Sequence, residues 1–465
     1  MKVTQVALCP TDASTAAGRP ALTPELLAAT GARYSRSNDG LDAIIDKIDP
    51  QNLDKSVDSI FKMIDYGHQS IADMAPVAMF MDGVSMWLAY HIWSLCPLAG
   101  GQESSTRYIK LSSENLPDAA DIGIPKPLRD EWTSAMKAAL DAYETALQFW
   151  EGVARENPAV TRIPASLLND SSEKAQKTVA RMRRNYAFDR ARYFLPAALK
   201  TNVMMVQSAR AWVSLCQNLL SHPLPEAQQL GNLIRDELAL AAPRLLKHAT
   251  AKESFQKGIA DWRERLYYDA VDSKETDEIT DFSQPEDPKP HLEVFLAPFA
   301  SHYWFERDLA FHDNRYSFIG EHLQNTAVRF GWEAVAFGDI RDLNRHRTGS
   351  KWCWLYPQGF YGANDQKGAS EALAPLYQTA GEMTKHVYEG LFGSDWTFVY
   401  WILLGTQFRF EHTTTADKFI YEAELRTGVG AHYRYAQHLH DVLELWYEKF
   451  PATRGLILEG SAEPE

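Results

Sequence analysis

Two short stretches of this 465-residue chain carry side chains suited to holding an anion. Glu103-Ser104-Ser105-Thr106-Arg107 offers hydroxyls, backbone N–H groups and a guanidinium fork, the parts of a phosphate cradle. A solvated turn is the plainer alternative for that composition. Arg345-His346-Arg347 is a dense cationic cluster between Phe337 and Lys351-Trp352-Cys353-Trp354. Aromatic neighbours point to partial burial, and buried guanidiniums need anionic partners; a basic face in water is the alternative. His68, in Gly67-His68-Gln69-Ser70, is either a contact or a structural histidine. No histidine near Ser105 would activate it, so it reads as a phosphate ligand, and no cysteine stands beside a plausible base.

The elements that must position these groups are mixed. Alternation predicts a strand over 2–8, and 77–80 suits a buried strand. Helical spacing predicts helices over 56–66, 130–155 and 225–248. Further on, 291–297 and 334–337 read as strands, 371–391 and 432–450 as helices, and 398–410 as a strand leading into a helix. An acidic, proline-containing stretch at 276–290 reads as a solvated linker. It divides the chain into 1–275, with a helical insertion at about 125–185, and 291–465. The net charge of −14 argues against a broad nucleic-acid or membrane-surface footprint. The four cysteines are widely spaced and fit buried thiols rather than a zinc site or a disulfide framework. The N-terminus lacks a signal-peptide core, and no apolar run reaches membrane-span length, so a cytoplasmic protein is expected.

A repeat is testable by register. Setting Leu195-Pro196 against Ile402-Leu403 places Leu219 opposite Arg426; setting the two anion-binding stretches in line places Leu95 opposite Arg345. The surplus residues of the first half then fall between Tyr108 and Arg192.

These stretches resemble the signature of the flavin-dependent thymidylate synthases, RHRxxSxxExSxRY, cut in two and shared between halves. Glu103, Ser105, Arg107 and Tyr108 match its second part; Arg345, His346, Arg347 and Ser350 match its first. Gly67-His68-Gln69-Ser70 is similar to GHxS, Ala191-Arg192 through Leu195-Pro196 to A-R-x-x-L-P, Leu425-Arg426 to a C-terminal L-R element, and Ala32-Arg33-Tyr34-Ser35 to A-R-x-S. Departures are Asp73 and Met74 for Glu and His, Asp342 for a glutamine, and Ser208, Ser214, Thr415 and Tyr421 for flavin-contacting asparagines.

The resemblance implies an α+β fold of two tandem domains, each a mostly antiparallel sheet packed with helices, forming a pseudodimer with one composite site. It implies reductive methylation of dUMP with FAD as cofactor and NADPH and methylenetetrahydrofolate as co-substrates. The implied dUMP contacts are Glu103, Ser104, Ser105, Thr106, Arg107, Arg192, Arg345 and Arg426. Arg345 and Arg426 would stabilise charge on the uracil oxygens. The implied flavin contacts are His68, Glu103, Arg345, His346, Arg347 and Ser350. No metal, nucleic acid or membrane is implied, and a homodimer of pseudodimers would mimic the family tetramer. Methylation or hydroxymethylation of another pyrimidine nucleotide, and a catalytically silent nucleotide-binding scaffold, stay open as alternatives.

Overall fold

The computed structural model describes all residues except 7–21, 39–40, 50–51, 63–69, 108, 110, 273–280, 394 and 462–465. Two four-stranded antiparallel sheets organise the chain. The first holds β1 (Lys2–Val6), β2 (Pro76–Ser85), β3 (Gly100–Glu103) and β4 (Lys200–Ser208) in the order β1-β2-β4-β3. The second holds β5 (Pro290–Leu296), β6 (Thr326–Ala336), β7 (Ser350–Phe360) and β8 (Thr406–Thr415) in the order β5-β6-β8-β7. The longer helices are α1 (Pro24–Tyr34), α2 (Leu53–Phe61), α3 (Met86–Leu95), α4 (Arg129–Glu156), α5 (Glu173–Ala191), α6 (Ala209–Ser221), α7 (Pro225–Ala241), α8 (Glu253–Asp272), α9 (Phe337–Asn344), α10 (Ala374–Gly390), α11 (Ala416–Thr427) and α12 (Tyr433–Lys449). This is an α+β fold.

The two sheets repeat one plan. The second strand of each is irregular near its end, at Asp82/Val84 and at Trp332/Val335, and runs directly into a helix. The fourth strand of each also runs directly into a helix, at Ser208/Ala209 and at Thr415/Ala416. The starts of β3 and β7, Gly100 and Ser350, and the ends of β4 and β8 keep the registers expected from the sequence. Between the third and fourth strands the first copy holds α4 and α5, which pack together, where the second holds α10. That extra helix accounts for the surplus of the first half.

Compactness does not follow the chain. One unit contains Met1–Ser104, Asp121–Gly123 and Lys200–Arg263; the other contains Ser105–Ala120, Ile124–Leu199 and Glu264–Glu465. The core of the first unit includes Val77, Met79, Met81, Trp87, Ile92, Trp212 and Ile234. That of the second includes Trp132, Trp150, Phe330, Trp332, Phe419 and Trp446.

Within the second unit, 193–197 and 402–405 meet as an antiparallel bridge centred on Pro196 and Leu403. Ala197 N–H donates to Ile402 O at 2.8 Å, and Leu404 N–H donates to Leu195 O at 2.9 Å. In the repeat register Ala197 corresponds to Leu404, and Leu195 to Ile402. The two hydrogen bonds are therefore images of each other about a local two-fold axis.

Several boundaries differ from the sequence expectation. The helix expected over 225–248 ends at Ala241, because Pro243 cannot continue it; a 3-10 turn follows over Pro243–His248. Phe337 opens a helix rather than closing a strand, and 398–401 is a 3-10 turn ahead of β8. The described part of the linker is not solvated throughout: Phe282 and Ser283 are buried, and Glu286 pairs with Gln407 through both backbone groups, at 2.9 and 3.0 Å. Residues 276–280 of the linker, Leu8 of the expected first strand, and Met63 and Ile64 of the expected 56–66 helix lie outside the described residues.

Candidate functional site

The second unit gathers four guanidiniums and three carboxylates from both sides of the linker. Helix α9 buries Phe337, Ile340 and Leu343. Asp339 and Asp342, three apart, share its other face. Arg345 caps its C-terminus, a position that favours a cation. Asp342 is the node of the cluster. Its Oδ2 accepts from Arg192 Nη1 at 3.0 Å, its Oδ1 from Arg345 Nη2 at 2.5 Å, and its backbone O from Arg426 Nη2 at 2.9 Å. Arg192 also donates to Asp339 Oδ1 at 2.7 Å, and Tyr193 donates its hydroxyl to Asp339 Oδ2 at 3.2 Å.

A second layer adjoins this node. Arg107 makes a two-pronged contact with Asp189, at 2.9 and 2.6 Å, and donates to Gly430 O at 3.2 Å. His432 bonds Asp189 O at 2.9 Å through Nε2, while its Nδ1 accepts from Arg434 N at 3.2 Å. These contacts fix His432 as the neutral Nε2–H tautomer. Arg426 Nε donates to His346 Nε2 at 3.0 Å, so that nitrogen carries no proton. The His346 loop is held in place by Lys351 Nζ, which donates to the carbonyls of His346 and Thr348. At its end Gly349 is left-handed (φ +64°), and a Cβ there would stand 2.0 Å from Thr413 O, so only glycine fits.

Burial sets the electrostatics. It pushes the Asp339 carboxyl up to about 6, with the neighbouring Asp342 adding to the rise and Arg192 opposing it. Burial would also raise Asp342, but Arg345, Arg192 and Arg426 hold it below the usual carboxylate range. The arrangement is physically consistent: two carboxylates share Arg192, and the proton goes to the one with fewer cations. Burial lowers His346 and His432 to about 3 each, with Arg426 contributing at His346 and Arg192 at His432. Arg345 is the open end of the cluster, its side chain 32% exposed against 8% for Arg192.

Arg107, Arg192, Arg345, His346 and Arg426 thus come together. Ser105 and Thr106 are half-buried in the same unit, beside Arg107 in sequence. Glu103, buried at the end of β3, and Ser104 belong to the first unit. Ser350 is exposed at the start of β7, and Arg347 is half-buried. His68 and Tyr108 lie outside the described residues. Sequence reasoning missed Asp189, Asp339 and His432, and took Asp342 only as a stand-in for a glutamine. The i, i+3 spacing of Asp339, Asp342 and Arg345 was the available signal.

Among the described residues, the implied flavin contacts Arg345 and His346 of this unit are engaged by the protein itself. His346 is 6% exposed and its acceptor nitrogen is taken by Arg426. Arg345 is bound to Asp342, and Ser350 is exposed at a strand start. Cysteine chemistry is disfavoured too. Cys96, Cys216 and Cys353 are buried and in no disulfide, and burial pushes Cys96 and Cys216 up to about 12, so neither of these two is a thiolate near neutrality. Among the described residues no helix is long and apolar enough to cross a membrane.

Residues 21–244 match the family described as thymidylate synthase complementing protein. A UPF0159 protein of Thermoplasma acidophilum is 24% identical over 356 residues, covering 68% of this chain and 70% of that protein. A UPF0159 protein of Chlamydia pneumoniae is 23% identical over 336 residues, covering 64% of this chain and 60% of that one.

Proposed function

From the match of residues 21–244 to the thymidylate synthase complementing family, we propose that the chain is a member of that family and that its arginine cluster binds dUMP for reductive methylation at C5. The observation that carries this reading is the meeting at Asp342 of Arg192, from before the linker, with Arg345 and Arg426, from after it. The resemblance requires such a composite site.

Arg107 holds the phosphate, with the Ser105 and Thr106 hydroxyls beside it and Arg192 assisting. A dianionic phosphate would take the place that Asp189 occupies on the Arg107 fork. Arg345 and Arg426 face the uracil edge and stabilise negative charge on its oxygens; one such donor contributes about 2.7–4 kcal/mol in a well-studied enzyme. FAD supplies the hydride chemistry when bound, with NADPH and methylenetetrahydrofolate as co-substrates. A flavin would have to displace the Asp342–Arg345 and Arg426–His346 contacts to reach these side chains. A cytoplasmic homodimer of pseudodimers completes the proposal.

A second reading, a catalytically silent nucleotide-binding protein, has its own support: Asp189, Asp339 and Asp342 already occupy the cations. The full chain with dUMP, methylenetetrahydrofolate, NADPH and FAD separates the two. Formation of dTMP and a flavin absorption spectrum support the enzyme. Binding of dUMP without flavin uptake or product supports the silent protein. A hydroxymethylated product by mass spectrometry redirects the chemistry, and failure to bind dUMP sinks both.

A further inference from the structure

Outside the cluster, the second unit encloses a cavity of about 520 Å³ whose charge is opposite to that of the chain as a whole. Arg162, Arg190, Lys367 and Arg434 line it, with Asp365 as its one carboxylate side chain among the described residues; His440, also in the lining, bonds Glu459 at 3.0 Å. The protein carries −14 overall, so this concentration of cations is a local inversion, and concave walls focus its field. None of the implied dUMP or flavin contacts lines it.

The cations are positioned by packing. Arg190 is 4% exposed, with its guanidinium 3.5 Å from the Tyr186 ring centre and 4.3 Å from that of Tyr433. It donates to Tyr186 O and to Gln366 Oε1, both at 3.0 Å. Arg434 lies 4.2 Å from the Tyr361 ring centre and donates to Asp365 Oδ2 at 2.8 Å. Arg162, in a left-handed conformation (φ +53°), donates to Ser461 O at 3.0 Å. Arg162 and Lys367 are exposed at the mouth. Guanidinium forks packed at the wall and exposed charges beside them suit phosphate oxygens. The volume lies in the range of small-molecule sites and exceeds what a single phosphate fills.

The geometry points to a second ligand site in this cavity, for a phosphate-bearing molecule of nucleotide size. It does not rest on the family reading. The probes are pyrophosphate, ADP and a hexose bisphosphate, titrated calorimetrically into the full chain, with citrate as a carboxylate control. At least one phosphate probe binds, its affinity falls steeply with salt, and the most favoured probe identifies the carried group. The double variant Arg162→Glu/Lys367→Glu changes only exposed side chains, so it folds; it weakens that binding at least tenfold. Arg345→Ala, in the separate cluster, leaves it unchanged. The proposal is overturned if no phosphate probe binds at millimolar concentration, if citrate binds as tightly, or if the double variant binds like the parent.

Discussion

Asp342→Asn tests the node of the cluster. The substitution keeps the shape of the side chain and removes the charge shared by Arg192 and Arg345. A hydrogen bond to a charged group contributes about 1.5–3 kcal/mol, and breaking a buried pair costs about 3–5. Two features reduce the loss. Arg345 is 32% exposed, so solvent screens its share; Arg192 keeps Asp339 at 2.7 Å. A loss of about 2–4 kcal/mol is therefore expected. It also depends on pH. In the parent protein Asp339 titrates near 6, partly because Asp342 repels its charge. Without Asp342 it ionises at lower pH and pairs with Arg192, so the loss shrinks as pH rises to about 6 and is constant above it. Urea unfolding at several pH values between 5 and 8, with and without dUMP, reads all of this. Freed from Asp342, the guanidiniums accept an anion more readily, so dUMP stabilises the variant more than the parent; a saturating ligand at a hundred times its Kd adds about 2.7 kcal/mol. A variant as stable as the parent at every pH, with no stronger dUMP effect, would refute Asp342 as the node.

Arg107→Ala and Arg426→Ala are each expected to lower turnover with dUMP by about 10²–10³-fold; full activity in both would remove the composite site. His346 and His432 have folded pKa values near 3 against an ordinary 6.5. Their contribution to stability is complete above pH 6.5 and is lost as pH falls toward 3, at about 1.4 kcal/mol per pH unit for each proton. His432→Gln should flatten the acid limb of unfolding free energy between pH 7 and 5, and an unchanged slope would count against the assignment. Because the second unit takes residues from both sides of the linker, fragments 1–275 and 281–465 are expected to co-purify when co-expressed and to be inactive apart; recovery of either fragment as a stable, active species would contradict this.

The sequence was most legible where one principle acts alone. The 28-residue helix Arg129–Glu156 follows its apolar spacing to within a residue of each expected end. The strand starts at Gly100 and Ser350 kept the repeat register because hydrogen-bonded ladders tolerate little slippage. Where tertiary packing decides, reading was poorer. Phe337 sits in an apolar run that suits a strand, yet opens a helix, since Asp339 and Asp342 must turn onto one face to reach Arg192. The arginines were identifiable from motif order. Their carboxylate partners were not, because Asp189 meets Arg107 across 82 positions and Asp339 meets Arg192 across 147.

The repeat itself bears on whether the cluster is structural. In the register that sets Leu95 opposite Arg345, Ala89 and Ile92 stand at the places of Asp339 and Asp342, and Cys96 at that of His346. Leu219 stands at the place of Arg426. Ala89, Ile92 and Leu219 are fully buried, and Cys96 is 7% exposed. One copy of the plan therefore packs these positions with apolar side chains. Replacing a buried ion network by well-packed hydrophobes is often neutral or stabilising by about 1–4 kcal/mol. The backbone plan does not need the charges, and the apolar solution is available at equivalent positions. Keeping four guanidiniums, three carboxylates and two neutral histidines together in the second unit costs desolvation that the fold does not require. A ligand that draws on those guanidiniums gives the cost a reason, and an anionic nucleotide has the charge and the hydrogen-bond acceptors to do so.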